Sequence, residues 1–140
     1  MLIVIAACLI LVALTTLIHF ETLSYLSAHL KSIAVPNRSK LLIVILAMFA
    51  AHAVEIAVYA WAIDVLISHF GLGTLEGSSD VSFITCFYSS AESYTSLGAD
   101  HDPTGPIQLI AGVEALNGLL LIAWSASFAY LSMERYWARG

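Results

Sequence analysis

Hydrophobic positions fall into three long stretches with polar punctuation between them, and this pattern predicts membrane-crossing helices. The first stretch runs from Leu2 to about Phe20, continues in a mixed pattern from Glu21 to Leu30 and closes at Lys31. Val35-Pro36-Asn37-Arg38-Ser39-Lys40 is a polar, proline-broken connection. The second stretch, Leu41 to Phe70, is about 45 Å long as a helix at roughly 1.5 Å per residue, so it must tilt or protrude from a bilayer. Glycine and serine between 71 and 79 break it, and the third stretch follows Pro106, from Ile107 to about Met133. Between them, Val81 to Leu97 is apolar enough to enter a membrane yet carries Ser, Thr and Glu throughout. It predicts a short helix from Ser82 to about Tyr94 that dips in without crossing. The expected fold is an all-α membrane protein of one domain. It comprises an N-terminal transmembrane helix (1–30), a second (41–70), a re-entrant helix and loop (81–103) and a third crossing (107–133).

Composition narrows the function classes. Of 140 residues, 60% are apolar and 11% charged, well outside the range of soluble domains. The apolar stretches use nearly the whole chain, leaving no room for a catalytic or nucleic-acid-binding module. With no nucleophile–base pair, phosphate loop or metal-ligand cluster in the sequence, neither an enzyme nor a cofactor nor a nucleic-acid partner is expected. No Lys or Arg precedes the first stretch, which therefore reads as a retained helix rather than a signal peptide. Ile5-Ala6-Ala7-Cys8 resembles a lipoprotein cleavage box, but too few apolar residues stand ahead of it.

Charge sets an expected orientation. Lys31, Arg38 and Lys40 lie in the first connection, and Arg135 and Arg139 follow the last helix. If the middle segment turns back, all five basic residues share one side, which the positive-inside rule makes cytoplasmic. The expectation is a multi-pass protein of the cell membrane with its N-terminus outside and its C-terminus in the cytoplasm. Glu76, Asp80, Asp100 and Asp102 then gather outside, where an acidic mouth concentrates cations.

Nonhelical backbone survives within a bilayer only where protein covers it or water wets it, and lining a pore meets that condition. After the short helix come Thr95-Ser96-Leu97-Gly98-Ala99-Asp100-His101-Asp102-Pro103, in which Gly98 permits unusual backbone angles and Thr and Ser supply oxygens. Glu92-Ser93-Tyr94-Thr95-Ser96-Leu97-Gly98 resembles the pore-helix end and filter of tetrameric potassium channels, which commonly read Thr-Thr-Val-Gly-Tyr-Gly-Asp. An outer helix, pore loop and inner helix match the pore module of that superfamily over roughly two-thirds of the chain; the N-terminal helix is an addition.

The resemblance implies an ion filter at Thr95, Ser96, Leu97, Gly98, Ala99 and Asp100, support behind it from Glu92, His101 and Asp102, and a gating hinge at Gly118. It implies a homotetramer, each chain joined by three identical subunits in the lipid bilayer, with K+, Na+ or Ca2+ as permeant ions. The pattern departs where Ala99 replaces the usual Tyr and Asp100 the second Gly. One alignment makes Asp100 an acidic ring favouring divalent or unselective passage; the other deletes that Gly and pairs Asp100 with Glu92. The altered filter also fits a non-conducting, channel-like subunit that binds a partner protein.

Ionisable residues inside apolar helices mark pathways or pairs, and Glu55, Asp64 and Glu114 qualify. His52 and Glu55, spaced i,i+3, share a face and are expected to pair or to hold a neighbouring helix. His19, His29 and His69 read as lying near helix ends, solvated at the interface, and no metal is assigned. Glu114, Asn117 and Ser125 are expected to face protein or water. Gly118 reads equally as a hinge or as a close-packing position. Tyr136 and Trp137, beside Arg135 and Arg139, read as an interfacial anchor, and Cys8 and Cys86 as packing residues.

Overall fold

A computed structural model of the chain describes residues 1–77, 81–98 and 103–136, which form long helices, one short helix and one pair of short strands. Helix α1 is Leu2–His29. Neither glycine nor proline interrupts the sequence there, so the helix runs on past Phe20 through the mixed stretch. Val4, Cys8, Leu11, Thr15, His19, Leu23 and Leu26, three or four residues apart, make its buried stripe.

Helix α2 is Asn37–Phe70 and begins ahead of Leu41, directly after Pro36, whose φ of −53° and ψ of 146° hold the chain extended. Its 34 residues span about 51 Å. Gly71 ends it in the left-handed conformation (φ 60°) and donates its N–H to the Ile67 carbonyl at 3.1 Å. After strand β1 (Thr74–Leu75) comes helix α3 (Phe83–Thr95), capped by the Ser82 hydroxyl accepting from the Thr85 N–H at 3.2 Å. Strand β2 (Pro103–Thr104) and a 3-10 turn (Gly105–Ile107) lead into helix α4 (Gln108–Tyr136).

Three helical segments, Leu2–His29, Asn37–Phe70 and Gly105–Tyr136, are long and apolar enough to cross a membrane. Only 28%, 22% and 33% of their most apolar windows are buried inside the chain, so the greater part of their hydrophobic surface faces outward. An outward surface of that kind suits hydrocarbon and not water, and the chain is a multi-pass membrane protein. At 13 residues, about 20 Å, α3 is too short to span.

Strands β1 and β2 pair antiparallel, Thr74 with Thr104 and Leu75 with Pro103, and so close the base of everything between them. The pairing depends on Gly73: with φ +121°, a Cβ there would stand 2.1 Å from the Thr104 carbonyl oxygen. The C-terminal end of α2 and the N-terminal end of α4 therefore meet at one end of the bundle.

Apolar packing gathers at the two ends of the bundle and polar groups lie between. One cluster joins Val4, Cys8 and Leu11 of α1 to Tyr59 and Ile63 of α2, with Cys86, Ile107 and Ile110. The other joins Leu23, Leu26, Leu30, Val44, Met48 and Tyr136. Lys31, Arg38, Lys40 and Arg135 sit at this second end, and Lys40 places its ammonium over the Tyr136 ring at 5.3 Å from the centroid. Tyr136, expected as an interfacial anchor, is instead buried against α1 and α2. Trp137 and Arg139 lie outside the described residues.

Candidate functional site

The i,i+3 spacing on α2 sets His52 beside Glu55, whose side chain is completely buried. Glu55 Oε1 lies 2.9 Å from His19 Nδ1, and Oε2 lies 3.1 Å from His52 Nδ1 and accepts from the Tyr94 hydroxyl. His52 Nδ1 is also 2.8 Å from that hydroxyl. On their far edges the two imidazoles converge on one oxygen: Ser125 Oγ is 2.9 Å from His52 Nε2 and 3.2 Å from His19 Nε2. A closed ring of His19, Glu55, His52 and Ser125 thus ties α1, α2 and α4 together, and Tyr94 attaches α3 to it. A buried carboxylate is tolerable only when donors surround it, and α1, α2 and α3 each supply one, while Ser125 of α4 holds the far edges of the two imidazoles.

A second polar set lies beside it. Asn117 Nδ2 donates to Thr15 Oγ1 at 2.7 Å and to the Tyr59 hydroxyl at 3.2 Å. Ser90 Oγ is 2.9 Å from the Ile56 carbonyl oxygen and bonds the Glu114 carboxyl. Glu114 is fully buried, and its Oε2 has no hydrogen-bond partner among the described residues. Ser90 carries one hydrogen for two acceptors, and the arrangement is complete when the Glu114 carboxyl supplies the second.

Glu55, Glu114, Asn117 and Ser125 thus face protein, as the apolar surroundings in the sequence implied. Asp64 is half-buried and accepts from Ser68 Oγ at 3.2 Å. His29 and His69 are exposed, but His19 is not interfacial: it is fully buried on α1, because the helix continues ten residues beyond it to His29. Its ring lies 5.5 Å from that of Trp124. Thr15, Tyr59, Ser90 and Tyr94 also escaped the sequence reading. The available signal was the three-and-four spacing of Thr15 and His19 with Cys8 and Leu11, which puts both polar residues on the packed stripe of α1.

At the end of α3, Thr95 is still helical and returns its hydroxyl to the Ala91 carbonyl at 2.7 Å. Ser96 is left-handed (φ 56°), the Leu97 N–H reaches back to Glu92 O at 3.1 Å, and Gly98 has φ +87°. The segment closes the helix as a compact cap, with Leu97 exposed. Glu92 is half-buried and its Oε2, shielded from solvent, has no hydrogen-bond partner among the described residues. Ala99, Asp100, His101 and Asp102 lie outside the described residues. Gly118 lies against the cap's base, where a Cβ would stand 2.2 Å from the Tyr94 carbonyl oxygen. Close packing is the visible reason for glycine there.

Cys8 and Cys86 are both free, buried thiols. His19, His52 and Glu55 place one donor atom each within 4.8 Å of one another, a grouping of metal-ligating types that the sequence, with His19 set aside, did not offer. No protein-family model, curated protein or solved structure matches the chain.

Proposed function

We propose that the chain is the pore-forming subunit of a homotetrameric cation channel of the cell membrane, N-terminus outside and C-terminus cytoplasmic. The observation that carries this reading is the closed excursion between β1 and β2. The paired strands return the chain to its starting point, and in between α3 stops beside Glu55, midway along α2. A helix that starts at one end of a bundle and stops halfway suits a re-entrant segment, its backbone sheltered by α2 and α4. The gathering of Lys31, Arg38, Lys40 and Arg135 at the opposite end suits a cytoplasmic face there.

The faces of α3 support assembly. Ser89, Ser90, Cys86 and Tyr94 turn inward, whereas Phe83, Ile84 and Tyr88 turn outward. An apolar outward face on a short helix is suited to packing on an identical neighbour around a closed axis. Four copies bring Thr95, Ser96, Leu97 and Gly98, followed by Ala99 and Asp100, round that axis, where carbonyl and hydroxyl oxygens replace the water of K+, Na+ or Ca2+. The same reading assigns support of that filter to Glu92, His101 and Asp102. The compact cap at Thr95 and Ser96 favours one rival, a non-conducting subunit of the same build that holds a partner protein.

Subunit count tests the geometry. Native mass spectrometry of the chain released from lipid nanodiscs is expected to give four copies per particle. Monomers or dimers, in detergent and lipid alike, would leave no filter to build.

A further inference from the structure

We propose that His19, His52 and Glu55 bind one divalent transition-metal ion of zinc-like chemistry within the membrane-spanning bundle. The site stands on the packing of α1, α2 and α4 and does not depend on conduction. Two imidazoles and a carboxylate are a donor set that borderline divalent ions prefer, and these three already share one buried locus. Glu55 Oε1 stands 2.9 Å from His19 Nδ1 and Oε2 stands 3.1 Å from His52 Nδ1. Ligands at about 2.0–2.2 Å from a tetrahedral ion lie about 3.3–3.6 Å from each other. With all donor atoms within 4.8 Å, the widest gap has to close by only about 1 Å.

The hydrogen inventory of the ring provides a second, independent argument. Its four links run Glu55 to His19, His19 to Ser125, Ser125 to His52, and His52 to Glu55, and each requires one hydrogen. An ionised carboxylate, two neutral imidazoles and one hydroxyl supply three. Both Nδ1 atoms face the carboxylate, so if both donate to it, two bare Nε2 atoms compete for the single Ser125 hydrogen. A cation at the Nδ1 side resolves this. Both imidazoles then carry their hydrogen on Nε2, and Ser125 Oγ accepts two N–H bonds, one on each lone pair. The serine hydrogen is released for a carbonyl one turn back, the usual recourse of a helical serine.

The surrounding groups fit that role. Tyr94 donates to Glu55 Oε2, which orients the carboxylate and leaves Oε1 toward His19. His52 is the one ligand with partial exposure, 19% against 0% for the other two, and gives an ion its approach. Because Tyr94 is the penultimate residue of α3, an ion held here would fix the end of that helix against α2.

The test uses the full chain in detergent micelles, stripped with EDTA and titrated with Zn2+, and with Co2+ as the spectroscopic probe. Expected are about one ion per chain, Co2+ ligand-field bands of a low-coordinate nitrogen–oxygen site, and a higher unfolding midpoint with Zn2+. His19→Gln keeps a donor toward Glu55 and is expected to fold, as judged by circular dichroism, but to lose the Co2+ bands. Ser125→Ala should weaken binding about 10–100-fold. His69→Gln, altering an exposed histidine, should change nothing. Wild-type protein that takes up no Zn2+ or Co2+ overturns the proposal and leaves the ring to an extra proton. Equal binding by wild type and His19→Gln overturns it by putting the ion elsewhere. Neither readout involves ion flux, so the site and the pore fail separately.

Discussion

Glu55→Ala is expected to cost about 3–5 kcal/mol, enough to leave much of the chain unfolded, because it strips the partner from the buried His19 imidazole, the part-buried His52 imidazole and the Tyr94 hydroxyl at once. Cavity formation at a fully buried position adds to the loss. Glu55→Gln, which keeps acceptor and volume, should lose distinctly less. Denaturant unfolding in micelles, followed by tryptophan fluorescence, to which Trp124 beside His19 contributes, measures both. A change within about 0.5 kcal/mol for the alanine variant, the size of an ordinary surface substitution, would mean that the ring does not hold the helices together.

Gly118→Ala should be the most damaging single methyl group in α4. The added Cβ would meet the Tyr94 carbonyl oxygen at 2.2 Å, Tyr94 Cγ at 2.9 Å and Tyr94 C at 3.0 Å, so the end of α3 has to move. Overpacking of this kind costs about 1–3 kcal/mol, and the displacement carries Thr95 to Gly98 with it. Gly112→Ala supplies the opposite sign within the same helix. Nothing lies within 4 Å of its Cβ, and alanine there should stabilise by up to about 1 kcal/mol. The same unfolding assay reads both. Two glycines that respond alike would detach Gly118 from α3 and return it to its alternative reading as a hinge.

What the sequence made legible follows from how local each cause is. Three spans could be read because each is a continuous apolar run, and α3 could be read because polar turns bound an apolar segment on both sides. The His52–Glu55 pair was legible because three residues on one helix fix its geometry. His19 was not. Its partner is 36 residues away, and its placement depends on how far α1 extends and which way it is turned. Extension past Phe20 through the mixed stretch was expected and is allowed by the absence of glycine and proline, yet His19 was still read as lying near a helix end. Rotation is decided by packing against α2 and α4, which the weak amphipathicity of a lipid-facing helix does not record. Thr95 illustrates a smaller limit: α3 runs one residue past its expected end at about Tyr94, so the first residue of the proposed filter segment is still helical and the left-handed turn falls at Ser96.

Cation flux from proteoliposomes containing the purified chain tests the pore most directly. Vesicles are loaded with K+, Na+ or Ca2+ in turn and compared with protein-free vesicles and with a conducting control channel. Release of at least one of these ions, dependent on the protein, is the predicted result. Vesicles as tight as the protein-free ones for all three ions, with the chain folded and the control conducting, would contradict it and point to the partner-binding subunit instead.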